Sequence, residues 1–212
     1  MIRLYYAAGG CSLAVHVALE EAGASFEATR VDFAAGEQRG ADYLAINPKG
    51  RVPALVTERG VLTECVAILA WIAQTWPDAG LAPLDDPWAF AQLQAFNAFL
   101  ASSVHVAYAH VSRPGRYADG EQAAAAMAVK APQALGDFFA LIEDRLSDGR
   151  PWVHGDAYSV SDPYLMVMTG WILRRELLDP GRIPFTAAHL ARASARPAAR
   201  RVLQREAAAA QP

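Results

Sequence analysis

The sequence predicts an α/β fold in its first part and an all-helical fold in its second part. Before residue 64, segments with a hydrophobic period of two are interleaved with helical spacing, and after it helical spacing alone is present. Residues 78–87 (DAGLAPLDDP) contain proline and aspartate without a hydrophobic period, as is typical of an interdomain connection. Because 212 residues are enough for two small cores, we expect two domains, residues 1–79 and residues 87–212.

The N-terminal residues predict a strand, a turn and a helix. In residues 2–6, Ile2, Leu4 and Tyr6 alternate with Arg3 and Tyr5, which is the period-two pattern of a half-buried strand. Residues 13–18 carry apolar side chains at helical spacing, and Gly23 favours the end of a helix. Cys11 follows a glycine pair and therefore lies at the turn between the strand and the helix.

Three further elements complete the first part. Residues 25–33 (SFEATRVDF) are rich in aromatic and β-branched residues and predict a second strand. Residues 52–57 and 60–63 predict a hairpin, and residues 64–77 predict a helix that ends at a proline. The expected order is therefore strand, helix, strand, two-stranded hairpin and helix.

The second part predicts a series of helices. Its three long helical segments are residues 88–110, 121–146 and 158–177. We expect Pro132 to kink or divide the second of them. Ser159 and Asp162 have the spacing of a capping box at the start of the third. The alanine- and arginine-rich tail predicts one or two more helices, divided near Pro197.

Composition excludes several classes of protein. A formal net charge of -3 and the absence of basic runs argue against nucleic acid or an anionic membrane as the main partner. We identify residues 66–73 as the best apolar stretch, and they are far shorter than the roughly 20 residues of a membrane span. The N-terminus lacks the pattern of a secretory signal. We therefore expect a cytoplasmic protein that binds neither membrane nor nucleic acid.

The cysteines and histidines do not predict a metal centre. The two cysteines are more than fifty positions apart, so they form neither a disulfide scaffold nor a CxxC pair, and redox chemistry would need an external thiol. The five histidines lack the spacing of metal ligands, and we expect no metal. We expect His16, His154 and His189 to be surface or capping residues.

Cys11 is the first candidate functional residue. The free N–H groups of a helix's first turn favour an anion, and such positions lower a cysteine pKa from about 8.5 towards roughly 3.5–7.5. Cys11 is therefore predicted to be a nucleophile or a thiolate hydrogen-bond partner, with a small buried apolar residue as the alternative. Ser12 is a second candidate donor to a thiol, although its default role is a helix N-cap.

Two other segments suggest a binding surface. Pro53 cannot donate to a strand ladder, which leaves the backbone groups of Val52 available to an extended peptide. Glu64 and Cys65 lie at a second helix N-terminus, where free amides favour a carboxylate. We expect the Cys65 side chain to fill space while its backbone N–H binds.

Five segments together resemble a known family. They are YYAAGGCSLAVHVAL, NPKGRVPAL, TECVAI, SSVH and YSVSDPYL, in that order along nearly the whole chain. Their order and spacing are similar to those of cytosolic glutathione transferases, and most similar to the bacterial beta-class type with an N-terminal catalytic cysteine.

The resemblance implies a thioredoxin-like first domain, an all-helical second domain, a homodimer, and glutathione as co-substrate with a small apolar electrophile. Cys11 would meet the glutathione sulfur, as thiolate partner or in a mixed disulfide, and His105 would close over it to move protons or orient the sulfur. Val52, before a cis Pro53, would pair with the cysteinyl backbone, and Glu64 with the Cys65 amide would receive the γ-glutamyl end. The implied catalytic residues are Cys11 and His105. The implied glutathione-binding residues are Cys11, Ser12, Val52, Pro53, Glu64, Cys65, Ser102 and His105.

The sequence departs from the family pattern in three places. The loop at residues 33–40 has no lysine, although Gln38 or Arg39 is available as a substitute. Asn97 stands one position before the expected asparagine, and Val106 replaces a lysine. Each missing group would weaken binding by roughly 1–3 kcal/mol if it made a charged hydrogen bond. A binding or scaffold protein without catalysis is the alternative function.

Two questions stay open at this level. Conjugation and thiol–disulfide exchange both suit a cysteine at position 11. A set of aromatic residues either lines an apolar co-substrate pocket or belongs to the core: Phe99, Tyr108, Tyr117, Tyr164 and Trp171.

Overall fold

The first part of the chain folds around a four-stranded mixed sheet with the strand order β2-β1-β3-β4. The computed structural model describes residues 1–209. Its strands are β1 (Ile2–Tyr6), β2 (Phe26–Arg30), β3 (Ala54–Thr57) and β4 (Gly60–Thr63). Strand β1 runs parallel to β2 and antiparallel to β3, and β3 and β4 form the predicted hairpin. The predicted α/β fold is confirmed.

Helices connect and cover this sheet. They are α1 (Ser12–Glu21), α2 (Ala41–Ile46) and α3 (Cys65–Thr75). The sequence analysis missed α2, because a six-residue helix with Tyr43 as its one buried residue shows no hydrophobic period. Helices α1 and α3 agree with the predicted positions.

Helix α1 is buried along most of its length. Every residue from position 12 to position 19 is buried, because α3 packs against one side of the helix and two helices of the second part, α7 (Ser161–Arg174) and α9 (Pro197–Ala209), pack against another. A helix that is apolar all round needs such enclosure. Helix α1 therefore links the two parts through one continuous core and fixes the turn that carries Cys11.

The second part is helical throughout its described length, as predicted. Its helices are α4 (Pro87–Phe99), α5 (His105–Ser112), α6 (Glu121–Leu146), α7 (Ser161–Arg174), α8 (Pro184–Ala195) and α9 (Pro197–Ala209). The Asp86 side chain caps α4 by accepting from the backbone N–H groups of Trp88 and Ala89 at 2.9 and 3.1 Å. A π-helical turn, Leu100–Val104, joins α4 to α5, so the predicted helix at residues 88–110 is continuous but locally widened.

Helix α6 runs through Pro132 without a break, so of the two expected outcomes, a kink or a division, division of the helix was wrong. An interior proline costs about 3 kcal/mol, and the buried stripe of Ala131, Leu135, Phe139 and Ile142 offsets that cost by packing into the core. By length and composition α6 is also apolar enough to cross a membrane, which we did not recognise from the sequence. It packs against α5 and α8 of the second part, and 22% of its most apolar stretch is buried.

The capping box predicted at Ser159 and Asp162 is confirmed. The Asp162 carboxylate accepts from the Ser159 backbone N–H at 2.7 Å, and the Ser159 hydroxyl accepts from the Ser161 N–H at 3.3 Å. Helix α7 ends at Arg174, three residues before the predicted end. The tail forms two helices that meet at Pro197, one of the two predicted arrangements.

Two histidines are buried, contrary to expectation. His16 Nδ1 lies 2.8 Å from Glu206 Oε1, and His189 Nε2 lies 2.8 Å from Asp162 Oδ1, with both imidazoles fully buried. His154 is half-buried, and burial lowers its pKa to about 4. The carboxylate partners are distant in sequence, so periodicity alone could not reveal these pairs.

Candidate functional site

Cys11 lies in the turn between β1 and α1. Its Sγ atom donates to the Val52 carbonyl oxygen at 3.3 Å, and its own carbonyl oxygen accepts from Cys65 Sγ at 3.6 Å. Cys11 is partly exposed, whereas Cys65 is buried. The fold therefore brings together two cysteines that the sequence analysis treated as unrelated.

The two thiols have opposite pKa shifts. The Cys65 thiol, acting as hydrogen-bond partner, lowers the pKa of Cys11 most, and Arg113 lowers it further while burial opposes both. The hydrogen bond with Cys11 raises the pKa of the Cys65 thiol most, and burial raises it further, to well above its usual range. Of the two thiols, Cys11 is therefore the one that ionises more readily, and Cys65 the one that keeps its proton. A lowered Cys11 pKa was predicted, whereas the hydrogen bond from Cys65 Sγ to the Cys11 carbonyl oxygen was not.

Ser12 does not reach the thiol. Its hydroxyl accepts from the Ala7 N–H at 3.1 Å and donates to the Ala7 carbonyl at 3.3 Å, and the residue is fully buried. These bonds close the turn that follows β1. Neither the N-cap role nor the donor role expected for Ser12 matches its place in the structure, because Cys11 occupies the N-cap position.

The segment before β3 presents Val52 and Pro53 beside Cys11. The Val52–Pro53 peptide bond is cis, as the resemblance implied. The preceding Arg51 carbonyl accepts from the Tyr43 hydroxyl at 2.7 Å and from Asn47 Nδ2 at 2.6 Å. Helix α2 thus positions this segment, although the sequence analysis did not identify that helix.

Glu64 and Cys65 mark the start of α3, as predicted. Glu64 has a φ angle of 73°, in the left-handed region where a non-glycine residue costs about 1–3 kcal/mol. Its carboxylate pairs with Lys49 Nζ, and the same ammonium donates to Thr63 Oγ1 at 2.7 Å. Strain of this kind clusters at ligand sites, which supports Glu64 as a candidate.

His105 begins α5, directly after the π-helical turn. Its ring centroid lies 5.0 Å from that of Trp171. Burial lowers the His105 pKa to about 4, and Arg113, Arg51 and Arg116 contribute in the same direction. The imidazole is therefore neutral at pH 7, so it is better suited to orient a sulfur than to take up a proton.

Two adjoining cavities meet at Cys11. The larger has a volume of about 250 Å³ and the smaller about 130 Å³. Both are lined by Cys11, Arg51, Val52, Ala109, His105 and Arg116. Pro53, Glu64 and Cys65 line only the smaller one, which places most of the predicted glutathione-binding residues around a single trough.

Several predicted residues lie outside these cavities. Ser102 is exposed, and Gln38 and Arg39 form a 3₁₀ turn, with none of the three lining either cavity. Asn97 is fully buried, and its amide atoms have no hydrogen-bond partner within the described residues. Val106 lines the smaller cavity where the family has a lysine.

The aromatic set divides between pocket and core. Tyr108 and Trp171 line the larger cavity, stacked with a centroid separation of 4.8 Å, and the Trp171 indole donates to the Gly9 carbonyl at 2.7 Å. Tyr117 and Tyr164 line the smaller cavity. Phe99 packs on Phe138 at 5.6 Å, away from both.

Arginines were the functional candidates that sequence reasoning missed. The larger cavity is lined by Arg51, Arg113, Arg116 and Arg175. Arg113 and Arg116 belong to the segment RPGRYADG (residues 113–120), which joins α5 to α6 and interrupts the helical pattern of the second part. Its two closely spaced arginines were the one available signal.

Comparison with known proteins identifies the family. The family model for the glutathione S-transferase N-terminal domain matches residues 2–74. Glutathione S-transferase GstA of Escherichia coli O157:H7 is 31% identical over 97% of this chain and 98% of its own length. This chain belongs to the glutathione transferase family.

Solved structures agree in fold over nearly the whole chain. A glutathione transferase homologue from Sulfitobacter, solved with bound glutathione, is 39% identical with a TM-score of 0.90, covering 97% of this chain and 98% of that one. A bacterial beta-class glutathione S-transferase from Sphingomonas chungbukensis is 35% identical with a TM-score of 0.84, covering 96% and 98%. The resemblance stated from sequence motifs is thereby confirmed.

Proposed function

We propose that this protein is a glutathione transferase, an enzyme that uses glutathione as co-substrate. The observation that carries the proposal is the position of Cys11 where two cavities meet, with a pKa lowered by Cys65 and Arg113. Membership of the family and relatives with bound glutathione support it. Nothing in the site favours the scaffold alternative, because the cavities are open to a ligand.

Glutathione would lie along the smaller cavity. The Val52 backbone would pair with its cysteinyl residue, and the cis Pro53 would hold that backbone in place. The free backbone N–H of Cys65 at the start of α3 would donate to the γ-glutamyl carboxylate, and the Glu64 carboxylate would attract the γ-glutamyl ammonium. This arrangement brings the glutathione sulfur to Cys11.

In conjugation, the glutathione thiol would pass its proton to the Cys11 thiolate, and the glutathione sulfur would attack the electrophile, forming a thioether as the leaving group departs. The Cys11 thiol would donate a hydrogen bond to the anionic sulfur before it attacks, and proximity to the electrophile would supply much of the rate. The neutral His105 would orient the sulfur from the other side of the site.

Thiol–disulfide exchange is a second candidate reaction, favoured by the contact between Cys11 and Cys65. The Cys11 thiolate would attack the glutathione sulfur of a mixed disulfide between glutathione and another thiol, forming a Cys11–glutathione disulfide and releasing the other thiolate. A second glutathione would then restore Cys11 and release glutathione disulfide.

The larger cavity would receive the electrophile. Tyr108 and Trp171 form a flat aromatic wall there, which suits an apolar body.

The proposal keeps three expectations from the sequence. They are the domain division at residues 1–79 and 87–212, a cytoplasmic location, and the absence of nucleic acid and membrane partners.

We also propose a homodimer. Trp88, on the first turn of α4, is 72% exposed, and Val61 on the edge strand β4 is 47% exposed. Large apolar side chains left at the surface are typical of a protein contact. Sedimentation velocity measures the assembly state, and a monomer at all concentrations would contradict this part of the proposal.

The function is tested by glutathione binding and turnover together. Calorimetry with glutathione is expected to show heat, and an assay with an aromatic electrophile and a disulfide substrate is expected to show turnover. Cys11→Ala should abolish exchange, and a variant that keeps conjugation would assign the cysteine to exchange alone. Neither heat nor turnover in the parent protein would favour the scaffold alternative.

A further inference from the structure

The larger cavity is strongly positive in a protein with a net charge of -3. Four arginines line it: Arg51, Arg113, Arg116 and Arg175. Among the described residues that line either cavity, Glu64 alone carries a carboxylate, and Lys49 already pairs with it. A concave site with charges of one sign concentrates electrostatic potential and attracts ions of the opposite sign.

These arginines have no carboxylate partner within residues 1–209. The ion pairs of the described chain involve other arginines. Arg113 instead lies over the Phe33 ring, 5.6 Å from its centroid, and Arg175 lies over the Tyr108 ring at 5.7 Å. A guanidinium stacked on a ring keeps its edge N–H groups free for an oxyanion.

The positive groups are close enough to affect one another. Burial lowers the pKa of Arg116 most, and Arg113 and Arg51 lower it further; burial also lowers the pKa of the His105 imidazole most, and all three arginines act in the same direction. Repulsion of this kind destabilises the empty site, and a bound anion relieves it. The cluster therefore indicates a site prepared for negative charge.

Glutathione accounts for only part of this charge. Its γ-glutamyl end is placed at Glu64 and Cys65, which leaves one glycyl carboxylate and the sulfur. Arg51 and Arg116 line both cavities and are in position to meet them. The other two arginines, Arg113 and Arg175, line the larger cavity but not the smaller one. They lie in the same cavity as the aromatic wall of Tyr108 and Trp171.

We propose that the electrophilic co-substrate carries a carboxylate or a similar oxyanion on an aromatic or apolar body, and that Arg113 and Arg175 hold this anionic group. Tyr108 and Trp171 would pack against the apolar body while its reactive carbon faces Cys11. This inference rests on the proposed glutathione transferase function. It adds a charged group to the apolar electrophile predicted from the sequence.

The test compares two matched electrophiles, para-chloro-meta-nitrobenzoate and para-chloro-meta-nitrobenzamide. Each kcat/KM is divided by the rate constant of the uncatalysed reaction with glutathione, which removes their difference in intrinsic reactivity. We expect the corrected ratio to favour the carboxylate by about tenfold, the effect of one charge-assisted hydrogen bond. Added salt should reduce the ratio, because exposed charges are screened.

Variants assign the preference to particular residues. Arg113→Gln and Arg175→Gln are each expected to reduce the ratio by about fivefold to tenfold. Arg59→Gln is the matched control, since it removes the same charge from the exposed hairpin turn, outside both cavities. The control should keep the parent ratio.

The outcomes separate this inference from the proposed function. A protein that conjugates both electrophiles with equal corrected rates would overturn the inference and leave the transferase function standing. The same holds if the preference survives in both arginine variants or is lost equally in Arg59→Gln. Failure to conjugate either electrophile, together with no heat on adding glutathione, would overturn the transferase function and the inference with it.

Discussion

Replacing Cys65 by alanine removes the hydrogen-bond partner that lowers the pKa of Cys11 most. In the variant, burial still disfavours the Cys11 thiolate, and only Arg113 and backbone groups still favour it. A hydrogen bond to a charged acceptor contributes about 1.5–3 kcal/mol, and a thiol is one of the weaker donors. Since about 1.4 kcal/mol is a factor of ten in an equilibrium, we expect the Cys11 pKa to rise in Cys65→Ala and its alkylation rate at a fixed pH below that pKa to fall by about tenfold.

The assay is the rate of alkylation of Cys11 by iodoacetamide as a function of pH. Only the thiolate reacts, so the midpoint of the rate profile reports the pKa. Cys65→Ser keeps a donor of similar size and should restore a midpoint near that of the parent, while Cys11→Ala gives the background rate. An unchanged midpoint in Cys65→Ala, with the fold intact, would refute the reasoning that Cys65 stabilises the thiolate.

Three further predictions concern stability and binding. Glu206→Gln should destabilise the protein by about 3 kcal/mol, because the buried carboxylate accepts from His16 and from the Gly9 N–H at 2.9 Å. Urea unfolding measures the loss of unfolding free energy, and a loss below about 1 kcal/mol would contradict the prediction. The free energy of unfolding should fall as the pH is lowered from about 6.5 towards 4, because burial depresses the pKa of His105 and the unfolded chain therefore takes up the proton first. His105→Gln should weaken this pH dependence, and identical profiles of unfolding free energy against pH for variant and parent would exclude a contribution from His105. Tyr108→Ala should raise KM for an aromatic electrophile about tenfold and KM for glutathione less, and equal effects in steady-state kinetics would count against the assigned wall.

Elements with a strong hydrophobic period could be predicted from the sequence, and short or strained ones could not. Strand β1, the hairpin and helices α3 and α7 follow from periodicity and from the capping box at Ser159. Helix α2 is too short to show a period. The uninterrupted helix at Pro132 results from tertiary packing, which overrides local propensity.

The residues of the candidate site also fall into two groups, those that local sequence indicates and those that only the folded chain brings together. Cys11, Val52 and Glu64 lie at element boundaries, where local sequence indicates exposed backbone groups, and the family resemblance connected them. The contact between Cys11 and Cys65 depends on how α1 and α3 pack, and no local pattern records it. The arginine cluster combines residues from three separate segments, so only the folded chain reveals its charge.

A crystal structure of this protein soaked with glutathione tests the central claim most directly. The account predicts the tripeptide along the smaller cavity, with its cysteinyl residue paired to the Val52 backbone and its sulfur within hydrogen-bonding or covalent reach of Cys11 Sγ. Glutathione bound with its sulfur directed away from Cys11, or an empty trough at saturating concentration, would contradict it.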